Sequence, residues 1–302
     1  MASSYRGWRK AELHSHLDGA VRLSTARELS GEKVLRMVAP DDCPSQAEYI
    51  TYFDDAIAVM QTEDALERIA YELCVDSAAE NIDYLEVRWA PRLHLQHGLT
   101  LAQVIAAVLA GLSRAPLTAV AIVCAMRHHT PDDNVELAQV AGGFAGRGVV
   151  GFDLAGDEAH YSAWPHKPAF EAARAAGLRL TCHAGEAGDP SSVEEALDLG
   201  VERIAHGVIG ARDPRIVERV RREGIVLDMC PTANWKCKAV PALADHPLPR
   251  LVRAGVRCTI STDSRTVAGT TLTREFERMA RIGMTDDELQ RCNATAYEAK
   301  FG

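Results

Sequence analysis

Ala11-Glu12-Leu13-His14-Ser15-His16-Leu17-Asp18-Gly19 is the stretch that decides between two architectures. Its apolar and polar side chains alternate and run into a polar turn at glycine, which reads as a β-strand with a loop at its carboxyl end. A doubly wound open sheet usually carries a glycine-rich phosphate turn after its first strand. Here histidines stand where those glycines would be. A (β/α)8 barrel collects reactive side chains at the carboxyl ends of its strands, so a strand ending in His-x-His favours the barrel.

Working outward, similar β-rich apolar segments recur at Ile82 to Trp89, Leu117 to Met126, Val149 to Leu154, Leu178 to Cys182, Arg203 to Ala205, Ile225 to Met229 and Arg257 to Thr262. With the first, Ala11 to Leu17, they predict eight strands. Amphipathic stretches lie between several of them, such as Thr62 to Glu80 with Leu66, Ile69, Ala70 and Leu73 on one stripe. Helix starts are expected at Thr100 with Gln103, Ser191 with Glu194 and Thr285 with Glu288, which have the capping-box spacing, and at Thr130-Pro131 and Asp213-Pro214. Repeated strand and helix without a Pro/Ser-rich linker predicts one α/β catalytic domain over residues 1–302, a (β/α)8 TIM barrel, with the open sheet as the alternative. The segment 40–60, with Tyr49, Tyr52, Phe53, Ile57 and Met60, either lies over the barrel mouth as a lid or packs on the core as a surface helix.

A chain of 302 residues with 47% hydrophobic and 25% charged residues has the composition of an ordinary globular protein, which excludes a disordered, collagenous or disulfide-stapled small scaffold. The net charge of −9 argues against nucleic acid and anionic membrane as partners. No apolar run approaches the roughly 20 residues of a membrane span, and Met1 to Lys10 is polar, so a cytoplasmic location is expected. The eight cysteines are scattered singly, without CxxC pairs, and are expected to act as small buried hydrophobes.

The expected strand ends carry the chemistry. His14 and His16 lie two apart on a strand and project from the same face. Strand five runs into His183-Ala184-Gly185-Glu186, strand six into His206-Gly207, strand eight into Asp263, and strand four holds Asp153. His14, His16, His183 and Asp263 supply three nitrogens and one carboxylate oxygen, a set that suits zinc or a similar divalent metal with room for water. The alternative is a group of hydrogen-bonded histidines at strand ends. Glu186, three residues past His183, is placed as a proton carrier, and His206 as a group that orients or deprotonates a metal-activated water. Binuclear relatives of such barrels bridge two metals with a carboxylated lysine at the end of strand four. Residues 149–158 contain no lysine, which favours one metal per chain.

The motifs AELHSHLDGA, YLEVRWAP, GFDLAGDE, CHAGEAG, RIAHGV, CPTAN, STDS and LQRCNATAYEAKFG, in this order from Ala11 to about Phe301, resemble the adenosine deaminase family of the amidohydrolase superfamily. The resemblance implies a TIM barrel of the metal-dependent hydrolase type. It also implies one Zn2+ that activates water to attack C6 of an aminopurine nucleoside, releasing ammonia. Carried over by motif, His14, His16, His183 and Asp263 resemble the metal ligands, Glu186 the donor to purine N1, and His206 the residue that holds and deprotonates the attacking water. By the same resemblance Gly156 meets N3 through its backbone amide, and Asp18 faces the ribose hydroxyls. Glu12 and Asp157 stand in family motifs as structural anchors.

Two positions depart from the family pattern. Ser264 stands where an acidic residue or asparagine commonly meets N7, and Ala233 where many relatives have serine, followed by Trp235-Lys236-Cys237-Lys238. They loosen the expected partner to a small amino-heterocycle, led by adenosine or deoxyadenosine, with modified adenosine-like compounds as competitors. Lys236 and Lys238 are read either as partners of an acidic substituent or as surface lysines. Cyclic-amide hydrolysis and a catalytically silent binding protein are the alternative functions.

Overall fold

The computed structural model describes residues 5–302, so of the polar Met1–Lys10 stretch the first four residues lie outside the described ones. Among the described residues eight strands run parallel in one sheet in chain order: β1 (Lys10–His16), β2 (Ile82–Trp89), β3 (Thr118–Met126), β4 (Val149–Ala155), β5 (Arg179–Ala184), β6 (Arg203–His206), β7 (Val226–Met229) and β8 (Arg257–Ile260). The sheet nearly closes on itself: Asp263, just past β8, donates its N–H to His14 O at 3.0 Å and bridges to Ser15. Each strand coincides with a segment expected from the sequence, no end moving by more than two residues and both ends of β2 unmoved.

The outer helices form for the reasons their sequences suggest. Glu63–Ala78 buries Leu66, Ile69, Ala70 and Leu73 and starts at Thr62, whose side chain accepts from Ala65 N. Thr100 with Gln103 and Thr285 with Glu288 make full capping boxes, and Thr130 makes a further one with Asp133. The pair Ser191 and Glu194 does not. Asp189 Oδ1 accepts the Ser191 N–H at 2.7 Å, so the turn is capped from two residues earlier and Ser191 becomes the first helical residue.

The barrel interior is partly ionic. Glu86 and Arg88, two apart on β2, both point inward with no exposure, as do Asp153, Arg203 and Asp228. Arg203 pairs with Glu86 and lies 3.1 Å from Asp228, with its guanidinium 3.7 Å from the ring centre of Phe301, which closes the lower end. One layer up, Arg88 reaches Asp153 Oδ2 at 2.9 Å and Leu13 O at 2.7 Å. This layer is the floor of the site above it.

Between β1 and β2 the chain makes three short helical turns, Gln46–Ile50, Thr51–Phe53 and Asp54–Val59. Ser45 caps the first by accepting from Glu48 N. Gln46, Tyr49, Ile50, Phe53 and Ile57 follow helical spacing and share the face turned to the barrel mouth. The loop before this segment is tied down by Lys236, a buried lysine whose Nζ donates to Ala39 O at 2.6 Å and lies 3.4 Å from Asp41 Oδ1, and by Lys238, which donates to Asp41 O at 3.2 Å. Neither lysine lines the cavity, so they brace a loop instead of meeting an acidic substituent.

Candidate active site

A cavity of about 320 Å³ opens at the carboxyl ends of the strands. His14, His183, His206 and Asp263 each offer a ligand atom within 4.8 Å of the others. His16 joins the group, with Nε2 3.1 Å from His183 Nε2 and 3.4 Å from Asp263 Oδ1. The structure therefore brings the four expected ligands together, with His206 against them. Two of the five, His206 at φ 74° and Asp263 at φ 62°, adopt the left-handed conformation that non-glycine residues rarely hold. Such strain persists where the surroundings impose it, and it gathers at functional sites.

The donor set fits a divalent cation. His14 is fully buried with neither ring nitrogen hydrogen-bonded, although Nε2 lies 3.1 Å from Asp263 Oδ1. A buried imidazole with no partner is costly, and a bound cation would satisfy it. Burial, with the neighbouring positive groups adding, holds His14 well below its ordinary pKa. Burial likewise pushes His206 down to about 3, and His183 to about 4 against the opposing Asp153, so all three imidazoles are neutral at neutral pH. His16 is the exception: burial lowers it, but its contacts with Asp18 and Asp263 outweigh burial and leave it raised. Burial, reinforced by Glu186 and Asp18 and opposed by His16 and Arg88, raises the Asp263 carboxyl.

Three of the four imidazoles, those of His183, His16 and His206, are aimed by an outer partner. Asp153 Oδ2 lies 2.9 Å from His183 Nδ1 and the same distance from Arg88. Burial opposes the Asp153 charge, yet His183 and Arg88 together hold it well below the usual carboxylate range. Asp18 Oδ1 lies 3.6 Å from His16 Nδ1 and also lines the cavity, so it is placed both to turn His16 and to face a ligand. Asn234 Oδ1 accepts from Cys230 N at 3.3 Å and from His246 Nε2 at 3.2 Å, which leaves its Nδ2 to donate to His206 Nδ1 at 3.0 Å. That arrangement puts the His206 proton on Nε2, facing the cavity, so His206 is suited to hold an oxygen by donation and not, as the sequence also allowed, to take its proton.

Glu186 lines the cavity beside the cluster, with Oε1 3.6 Å from His206 Nε2. Gln46 Nε2 donates to its Oε2 at 2.6 Å and Cys237 Sγ donates to Oε1 at 3.3 Å. Gly156 lines the cavity at φ 108°, and a Cβ there would stand 3.3 Å from Met126 Cε, so glycine suits both the backbone and the space. Ser264 is placed differently from the expectation. It is fully buried and absent from the cavity wall, its Oγ 2.6 Å from the hydroxyl of Tyr49, and Tyr49 is the residue that faces the cavity. Gly19 makes that packing possible: a Cβ would sit 2.3 Å from Ser264 Cβ and 2.8 Å from Phe53. Glu12 behaves as an anchor, accepting from Thr262 N at 2.9 Å and Arg265 at 3.2 Å. Asp157 pairs at the surface with His160.

Sequence reasoning missed Arg88, Asn234, His246, Cys237 and Gln46. Only Gln46 left a usable local signal: it is the polar first position of the face that continues with Tyr49, Ile50 and Phe53.

The family model described as "Adenosine deaminase" matches residues 9–302. The chain is 35% identical over 310 residues to an adenosine deaminase of Clostridium perfringens, covering 97% of this chain and 93% of that protein. It is similar in structure to the Arabidopsis N6-mAMP deaminase (TM-score 0.90, 25% identity, 99% and 95% of the two chains covered). A Burkholderia ambifaria amidohydrolase with bound Zn is also similar (TM-score 0.90, 26% identity, 99% and 87% covered). With the cluster on the barrel rim as described, these likenesses establish that the chain belongs to the adenosine deaminase family and is a hydrolytic deaminase.

Proposed function

We propose that the protein is a mononuclear zinc-dependent deaminase of adenosine, deoxyadenosine or a closely similar aminopurine nucleoside, and that it does not prefer nucleotides. The observation that carries this reading is the cavity wall. It joins the ligand cluster and Glu186 at one end to Asp18, Asp54 and His128 elsewhere, and among the described residues no lysine or arginine lines it. A 5′-phosphate carries about two negative charges and is ordinarily met by arginine, lysine or a set of backbone N–H groups. Facing Asp18 and Asp54, it would be repelled. The Arabidopsis relative is named for a nucleotide, whereas the bacterial relative of higher sequence identity is named for a nucleoside.

In this reading His14, His16, His183 and Asp263 hold the zinc, whose Lewis acidity when bound makes solvent nucleophilic at neutral pH. The carboxyl of Glu186 gives a proton to the ring nitrogen next to the carbon under attack, so that charge does not build up on the ring. His206, its tautomer set by Asn234, positions the attacking oxygen. Asp18 and Gly156 fix the nucleoside, Asp18 through sugar hydroxyls and Gly156 through its backbone amide. Ser264 acts through Tyr49. The segment 46–59 serves as the lid that keeps bulk water from the ring. A second metal is disfavoured because Asp153, the acidic group of β4, is committed to Arg88 and His183.

The test is ammonia release by the metal-loaded protein from adenosine, deoxyadenosine, AMP, N6-methyl-AMP, adenine, aminopyrimidines and aminopteridines, with metal content measured on the same preparation. Adenosine or deoxyadenosine is expected to exceed AMP by at least roughly 100-fold in kcat/KM, the cost of one uncompensated charged contact, with one zinc per chain. A preference for AMP would overturn the nucleoside reading, and two metals per chain would favour the cyclic-amide alternative.

A further inference from the structure

We propose that Gln46, the first residue of the lid helix, is a positioning residue for proton transfer from Glu186: its side-chain amide grips the acid and stabilises the charge left when the proton departs. The inference rests on the reading of Glu186 as proton donor. Both residues are buried, and Gln46 Nε2 donates to Glu186 Oε2 at 2.6 Å. The Cys237 thiol meets the other oxygen at 3.3 Å. Each carboxyl oxygen has two acceptor sites, so Oε2 can take the Gln46 N–H on one side and still face the cavity.

When the acid O–H bond breaks and the proton forms an N–H bond to the ring nitrogen, the electron pair stays on the carboxyl group. The Gln46 hydrogen bond then changes from one to a neutral oxygen into one to a charged oxygen, and charge-assisted bonds are about twice as strong. The contact therefore contributes more in the transition state than in the ground state, which is the condition for raising kcat. The lid helix gains a chemical role as well as a covering one. Ser45 caps its first turn, and the Tyr49–Ser264 bond fixes it one turn later, so the position of Gln46 is imposed by two independent ties.

The test compares Gln46→Met, which keeps length and volume but cannot donate, with Glu186→Gln and the double variant. All are zinc-loaded, assayed with adenosine under single-turnover conditions, and checked for metal content and Tm. Gln46→Met is expected to lose about 10- to 100-fold in kcat with KM changed by less than about threefold and metal retained. In the Glu186→Gln background the same substitution is expected to cost less than about threefold, because the charge it stabilises no longer forms. An equal loss in both backgrounds, or a loss confined to KM, would reduce Gln46 to a wall residue and overturn the inference. So would a kcat for Gln46→Met within twofold of the parent while Glu186→Gln is inactive. A Glu186→Gln variant as fast as the parent would instead defeat the reading of Glu186 itself.

Discussion

Glu186→Gln is expected to lower kcat by roughly 10³-fold, about 4 kcal/mol of barrier, while metal content stays at the parent level. The two halves of this expectation come from different parts of the geometry. Metal is expected to be retained because Glu186 is outside the proposed ligand set of His14, His16, His183 and Asp263: its nearest cluster contact is His206 Nε2 at 3.6 Å, and its carboxyl oxygens are already met by Gln46 and Cys237. Rate is lost because an amide can hydrogen-bond a ring nitrogen but cannot transfer a proton to it. The substitution also disturbs the local donors. The glutamine has one acceptor oxygen where the glutamate has two, so either Gln46 Nε2 or Cys237 Sγ would face an NH2 group unless the Gln46 amide turns over. Steady-state kinetics with adenosine and metal analysis on one preparation check both halves. A variant within tenfold of the parent rate would remove the proton-donor role, and one that lost its zinc would place Glu186 among the ligands.

The eight-stranded plan was legible because each β-rich segment is short, apolar and bounded by polar or glycine residues, a pattern that survives without tertiary information. The pairing of His14 with His16 followed from the two-residue period of a strand, although the β1–β2 register shifts between Glu12 and Ser15. Glu186 and His206 were found because they sit at strand ends. Ser264 shows what such reasoning misses: adjacency to Asp263 puts it near the site, but whether it faces the ligand depends on Tyr49, some 200 residues away in sequence. Asn234 and His246 were invisible for the same reason. They act on His206 through a chain of side chains drawn from the short helix Pro231–Lys236 and a later loop, and no local period announces it. The misjudged start at Ser191 has a smaller cause, a competing aspartate two residues earlier.

Arg88 was quoted as part of YLEVRWAP and assigned nothing, yet Arg88→Met is expected to be strongly destabilising. Its guanidinium has no exposure and binds Asp153 at 2.9 Å and Leu13 O at 2.7 Å, with Asp228 at 3.8 Å. Methionine fills similar space but leaves Asp153 without its cation and weakens the compensation of Asp228, where burial already raises the carboxyl. Removing one partner of a buried ion pair costs about 3–5 kcal/mol, because the other charge remains desolvated. For a chain of this size that corresponds to a Tm lower by roughly 5–8 °C. The effect should reach the metal as well. Asp153 is the outer partner of His183, and an Asp153 that takes up a proton to escape its unpaired state can no longer orient that imidazole as an ionised carboxylate. Losses of outer partners typically cost 10- to 100-fold in metal affinity. Calorimetry and a zinc titration of the same variant therefore test one claim from two sides: the ionic floor of the barrel and the cluster above it are a single electrostatic unit. An Arg88→Met protein with parental Tm and parental zinc affinity would show that they are separate.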